Sequence, residues 1–128
     1  MASTLYNFYG VRVLACDPGE RKIWCDRDAI DLIGEAYEQG ADLLLLPLER
    51  LNENFFALTS GVARAILQKF AQYGIRLAVI GDLSRYCAKN ASFRDFVLES
   101  SRRNDIWFLA TAGELQDRLA PPQGARLS

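Results

Sequence analysis

Four leucines in a row, Leu43-Leu44-Leu45-Leu46, constrain this chain more than any other stretch. A strand turns successive side chains to opposite faces, so a strand-length run that is apolar at every position needs cover on both. Gly40 before the run and Pro47 directly after it leave too little length for an ordinary helix. Pro47 has no N–H, so ladder pairing is expected to fail near it. A central strand covered on both faces belongs to an α/β sheet, and the rest of the chain must supply flanking strands and covering helices.

The pattern on either side does so. Thr4–Phe8 reads as a short strand, Tyr9-Gly10 as a two-residue turn, and Val11–Cys16 as an antiparallel partner. Asp17-Pro18-Gly19-Glu20 punctuates a loop. Asp26 is placed as an N-cap, with Asp28 and Asp31 in the turn that follows. Ala29, Ile30, Ile33, Ala36 and Tyr37 recur at helical spacing until Gly40. After the leucine strand, Phe55-Phe56 is expected under a short helical turn, and Thr59-Ser60-Gly61 opens a helix to Tyr73. Val62, Ala65, Ile66, Phe70 and Tyr73 form its inward stripe, and Arg64, Gln68 and Gln72 face water.

Ile75–Ile80 is the next strand, and Leu83–Ala91 reads as a loop. Ser92 and Asp95 suggest a capping box for a helix to about Arg103, with Phe93, Phe96 and Val97 inward. Ile106–Ala110 is the last strand. Thr111 with Glu114 caps a closing helix anchored by Leu115 and Leu119. The order is β-β-α-β-α-β-α-β-α: an α/β fold with one mixed five-stranded sheet, an antiparallel first strand and covering helices. One domain over residues 1–120 is expected, with residues 121–128 as a frayed tail.

Composition then narrows the chemistry. The chain contains no histidine, which excludes Ser-His-Asp and Cys-His nucleophile activation and imidazole metal sites. A net charge of −1 argues against nucleic-acid binding by bulk electrostatics. The three cysteines, Cys16, Cys25 and Cys87, form no C-x-x-C pair and read as free thiols of a reducing cytoplasm. The first residues lack a basic region followed by an apolar run, and no apolar stretch approaches the length of a membrane span. A cytoplasmic protein with no membrane contact, no nucleic-acid partner, no metal and no cofactor is expected.

The element order, with Ser60-Gly61 opening the helix after the leucine strand, resembles the STAS domain of bacterial anti-sigma-factor antagonists. That resemblance implies a STAS-like fold. In those antagonists the residue before the glycine of an Asp-Ser-(Ser/Thr)-Gly motif is phosphorylated by a partner kinase. Here the stretch is Leu58-Thr59-Ser60-Gly61, so Ser60 matches the phosphorylated position while the aspartate is missing. A longer resemblance runs through Asn52–Phe56, Ile66–Phe70 with Tyr73, Leu77–Asp82 and Arg94–Ser100. These segments are similar to the bacterial domain-of-unknown-function family 4180, which carries no assigned activity.

Candidate sites follow from residue types. A phosphate or other anion at Thr59, Ser60 and Gly61 would meet backbone N–H groups and the positive end of a helix dipole; the plain alternative is an ordinary N-cap. Asp17, Glu49 and Asp82 are placed at carboxyl ends of strands, where open α/β sheets form ligand crevices; the alternative is that they only shape turns. Such a trio of carboxylates also has the oxygen donors that Mg²⁺ or Mn²⁺ prefers. Phe55 and Phe56 are a candidate partner surface, or else core. Arg94, Arg102 and Arg103 suggest an acidic partner or a solvated helix face. Cys87 has basic neighbours in sequence, Arg85 and Lys89, that would favour its thiolate.

Two functions are expected in turn. The first is a non-enzymatic regulatory domain that binds another protein near the second helix, with Ser60 as its switch. The alternative is a small-molecule- or metal-binding domain, or a minor enzyme, using the strand-end crevice. A homodimer through a helix face or a sheet edge is a third arrangement open to a chain this short.

Overall fold

The computed structural model describes residues 3–17, 19, 22–23, 25–51, 61–100 and 106–120. Strands β1 (Thr4–Phe8) and β2 (Val11–Ala15) form a hairpin. Tyr9 and Gly10 both have positive φ, 56° and 87°, the left-handed pair that a two-residue turn needs to follow the twist of its strands. Gly10 N–H also donates to Asn7 Oδ1 at 2.9 Å. Then come α1 (Asp26–Gln39), β3 (Leu43–Pro47), a 3-10 turn (Leu48–Arg50), α2 (Val62–Tyr73) and β4 (Arg76–Ile80). The chain continues with α3 (Ser84–Lys89), α4 (Ala91–Ser100), β5 (Ile106–Leu109) and α5 (Ala112–Leu119).

The five strands lie in sequence order, β1-β2-β3-β4-β5, antiparallel at β1 and parallel thereafter. The leucine strand is central, paired to β2 on one side and β4 on the other, and Pro47 is its last ladder residue, opposite Ile80. Each parallel crossover steps the same way across the sheet, so right-handed connections place α1, α2 and α4 on one face. Leu44 and Leu46 meet that layer together with Leu14, Leu77, Val79, Ile106 and Phe108. Leu43 turns to the other face with Val13, Ala78, Trp107 and Leu109, where Leu115 of α5 covers them. Helix α5 folds back over the face that the crossovers leave open, with Leu115 and Leu119 against it.

The helix boundaries correct several expectations. Asp26 is the first helical residue of α1, not its cap; Cys25 holds the cap position with extended backbone and makes no side-chain cap bond. Asp26 and Asp28 still sit in the first turn, where the dipole favours carboxylates. The buried stripe is Ala29, Leu32, Ile33 and Ala36, and Ile30 and Tyr37 are exposed. The spacing i, i+3, i+4, i+7 is the tighter match to a helical face, and Leu32 completes it. On α2 the buried residues are Ala63, Ile66, Leu67 and Phe70, while Tyr73 is exposed at the end and its carbonyl accepts from Tyr37 Oη.

The segment 83–91 is no plain loop, because α3 occupies Ser84–Lys89. The cap of α4 is Asn90, whose Oδ1 accepts from Phe93 N–H at 3.1 Å, in place of Ser92. Asn90 sits three residues ahead of that N–H, the spacing a side-chain cap requires. At α5 the expected cap is present: Glu114 N–H donates to Thr111 Oγ1 at 3.2 Å, and Ala110 N–H donates to Glu114 Oε2. Among the described residues no helix is long and apolar enough to cross a membrane. The tail expected at 121–128 lies outside the described residues.

Candidate functional site

All four parallel strands finish at one pole, and a crevice of about 700 Å³ opens there. Its lining comes from the ends of β3 and β4. Leu48 and Glu49 belong to the 3-10 turn, Gly81 and Asp82 follow β4, and Arg85 and Tyr86 belong to α3. Lys22 and Leu51 also line it. Among the described residues two cationic and two anionic side chains therefore share a partly apolar hollow.

The backbone at this pole is tied in three places. Ile23 bridges to Leu51 in parallel, and Ile23 N–H donates to Arg50 C=O at 2.6 Å. That contact brings Lys22 to the mouth of the crevice. Gly81 N–H donates to Leu109 C=O at 3.0 Å, which fixes the end of β4 to β5. Arg50 is 6% exposed, and its Nη1 donates to the carbonyl of Asp17 at 2.9 Å. A buried guanidinium thus fastens the β2 loop to the end of β3.

Asp82 is held by α3. Its Oδ1 accepts from Ser84 Oγ at 2.6 Å and from Ser84 N–H at 3.0 Å. Those bonds, with the nearby Arg85 charge, hold its carboxyl below the usual value of 3.8. Asp82 is therefore both a turn former and a fixed anion on the crevice wall. The Arg85 guanidinium carbon lies 5.2 Å from the centre of the Tyr86 ring, and Arg85 Nη2 donates to Tyr86 Oη at 3.2 Å. The cation is steered along the ring face.

Of the three carboxylates expected at strand ends, Glu49 and Asp82 share the crevice, and Asp17 stands apart from it. The Asp17 side chain turns back on its own loop, where Oδ1 accepts from Gly19 N–H at 2.7 Å. Among the described residues no group of three metal-ligating side chains comes together, so the trio does not assemble into a cation cage. The sequence carries no signal that Lys22, Arg85 and Tyr86 line the crevice: a helix as short as α3 shows no apolar period, so Arg85 and Tyr86 read as loop.

Gly61 is exposed and is itself the cap of α2, with φ of 76° and no side-chain cap bond. The helix therefore begins after it, at Val62, so Gly61 and neither Thr59 nor Ser60 holds the cap position. Thr59, Ser60, Phe55 and Phe56 lie outside the described residues, as do Arg102 and Arg103. Arg94 is exposed and sits 3.8 Å from Asp95. Cys87 is half-buried on α3 and packs against the core.

A family model described as "Domain of unknown function (DUF4180)" matches residues 9–119. No curated protein and no solved structure matches the chain.

Proposed function

The chain belongs to the DUF4180 family, and from that membership and the geometry of its strand-end pole we propose a non-enzymatic regulatory domain of STAS-like architecture. It recognises another protein through the pole where the parallel strands end and α2 begins. The observation that carries this reading is the crevice itself: about 700 Å³, lined by Lys22, Glu49, Asp82 and Arg85. An open hollow with both signs of charge suits a charged loop of a partner and discriminates by charge placement. Sequential strand order with three helical elements on one face supports the STAS-like comparison. The lack of histidine supports a binding role over acid–base catalysis at neutral pH.

In this reading Ser60 is the switch residue. It immediately precedes Gly61, which is exposed. A phosphate there would add nearly two negative charges one residue before the Gly61 cap of α2. Phosphate mapping by mass spectrometry after incubation with the cognate kinase tests it. Modification at Thr59 or Ser60, with partner loss in Ser60→Asp, is the expected result. An unmodified segment, with partner binding unchanged in Ser60→Asp, removes the switch.

The size of the crevice favours a second reading, a small polar ligand that carries both charges. A thermal-shift panel of nucleotides, amino acids and metal ions separates the two readings. A ligand at 100 times its dissociation constant stabilises by about 2.7 kcal/mol. No shift across the panel leaves the protein partner as the occupant. Loss of that partner in Arg85→Glu and in Glu49→Lys is then expected, and full binding by both variants refutes the crevice as the recognition surface.

A further inference from the structure

Strand β1 lies at one edge of the sheet, and among the described residues its outer side carries none of the devices that usually block edge pairing. Residues 3–10, Ser-Thr-Leu-Tyr-Asn-Phe-Tyr-Gly, contain no charge and no proline. The β1–β2 register runs from Thr4↔Ala15 to Phe8↔Val11 without a bulge. Proteins keep edges apart with lysines, prolines, bulges or a covering element. Thr4, Leu5, Tyr6 and Asn7 are all exposed.

Which backbone groups point outward is decided by β2. Arg12 lies opposite Asn7, and its N–H and C=O both turn away from β1: the N–H donates to Asp42 Oδ2 and the C=O accepts from Asp42 N–H. The same alternation turns Cys16 N–H to Leu45 C=O. Antiparallel partners alternate between bonded and unbonded pairs, so the N–H and C=O of Ser3, Leu5 and Asn7 face the open side.

The geometry points to a second copy of this chain as the occupant, its β1 paired antiparallel to this β1 about a two-fold axis at Leu5. In that register Leu5 meets Leu5 of the other copy, Ser3 meets its Asn7, and Asn7 meets its Ser3, each a bonded pair that uses the outward groups. On the opposite side of the strand Thr4 meets Tyr6. The pairing is isologous, and a neutral strand meets its own copy without opposing like charges. Tyr6 and Phe8, stacked with ring centres 5.7 Å apart, and half-buried Val11 lie on the face that α5 leaves partly open. Pairing sets this apolar strip beside its counterpart and makes the two sheets continuous.

The test is solution mass by light scattering over a concentration series, with Leu5→Lys and Leu5→Glu variants. The wild type is expected to approach dimer mass as concentration rises. Each variant alone stays at monomer mass, because two like charges face each other at the axis. An equimolar mixture of the two returns to dimer mass, which shows that both variants are folded. Amide hydrogen exchange adds a site-specific readout: Leu5 and Asn7 become protected in the wild-type dimer and exchange freely in Leu5→Lys. The proposal is overturned by a wild type that stays monomeric throughout, by a dimer that survives both single variants, or by a folded mixture that remains monomeric.

Discussion

Gly81→Ala should do more damage than a glycine-to-alanine change at an exposed turn, and the structure says why. A Cβ at residue 81 would lie 2.5 Å from Leu48 Cβ and 3.0 Å from Leu48 Cδ2. Carbon atoms normally approach to about 3.5–4.0 Å, so the end of β4 and the 3-10 turn must separate by roughly 1 Å. Overpacking of this kind costs about 1–3 kcal/mol. The backbone adds a second cost, because φ at Gly81 is 153°, a region that side chains rarely adopt; strain there is about 1–3 kcal/mol. The sum is about 4 kcal/mol in a domain whose total stability is about 5–15 kcal/mol. For a chain of this length that loss lowers Tm by roughly 10–20 °C.

Urea unfolding followed by tryptophan fluorescence measures the loss, and two comparisons apportion it. Gly10→Ala carries only a backbone cost, about 1 kcal/mol, because φ is 87° and nothing lies within 4 Å of the new Cβ. Leu48→Gly combined with Gly81→Ala removes the clashing atom, and the double-mutant cycle should return a favourable coupling of about 1–3 kcal/mol. If Gly81→Ala is no more destabilising than Gly10→Ala, or the cycle shows no coupling, the close approach of the two turns is wrong. The crevice built on that approach then falls with it.

Three further outcomes are expected. Phe93 is fully buried, with its ring centre 6.5 Å from that of Phe108 and 6.3 Å from that of Phe96; Phe93→Ala should cost about 3–5 kcal/mol in denaturant unfolding. Arg50→Met keeps much of the buried volume but strips the Asp17 carbonyl of its donor; a loss of about 2 kcal/mol is expected, and no change in the unfolding midpoint would show that the clasp contributes nothing. Asp82 titrates below 3.8, chiefly through the Ser84 side-chain bond. Its contribution to stability is therefore present above the unfolded value and lost as pH falls through the folded one. Ser84→Ala should move the Asp82 midpoint up toward 3.8 in a carboxyl NMR titration, and an unmoved midpoint would refute the assignment of cause.

Apolar periodicity is a local property of the chain, and it already lays out the alternation of the strands and longer helices. Leu43–Leu46 had to be central, since neither face of such a strand tolerates water, and Thr111 with Glu114 announced a helix start through bonds made within four residues. Local reasoning failed where two signals competed over a few residues, as at Ser92 against Asn90, or where a short helix such as α3 had too few turns to display a period. It also could not place Glu49 and Asp82 in one hollow while setting Asp17 aside. That outcome depends on Ile23 bridging Leu51 and on Arg50 reaching back to Asp17. Contacts of that kind join residues distant along the chain, and only the folded sheet brings them within hydrogen-bond range.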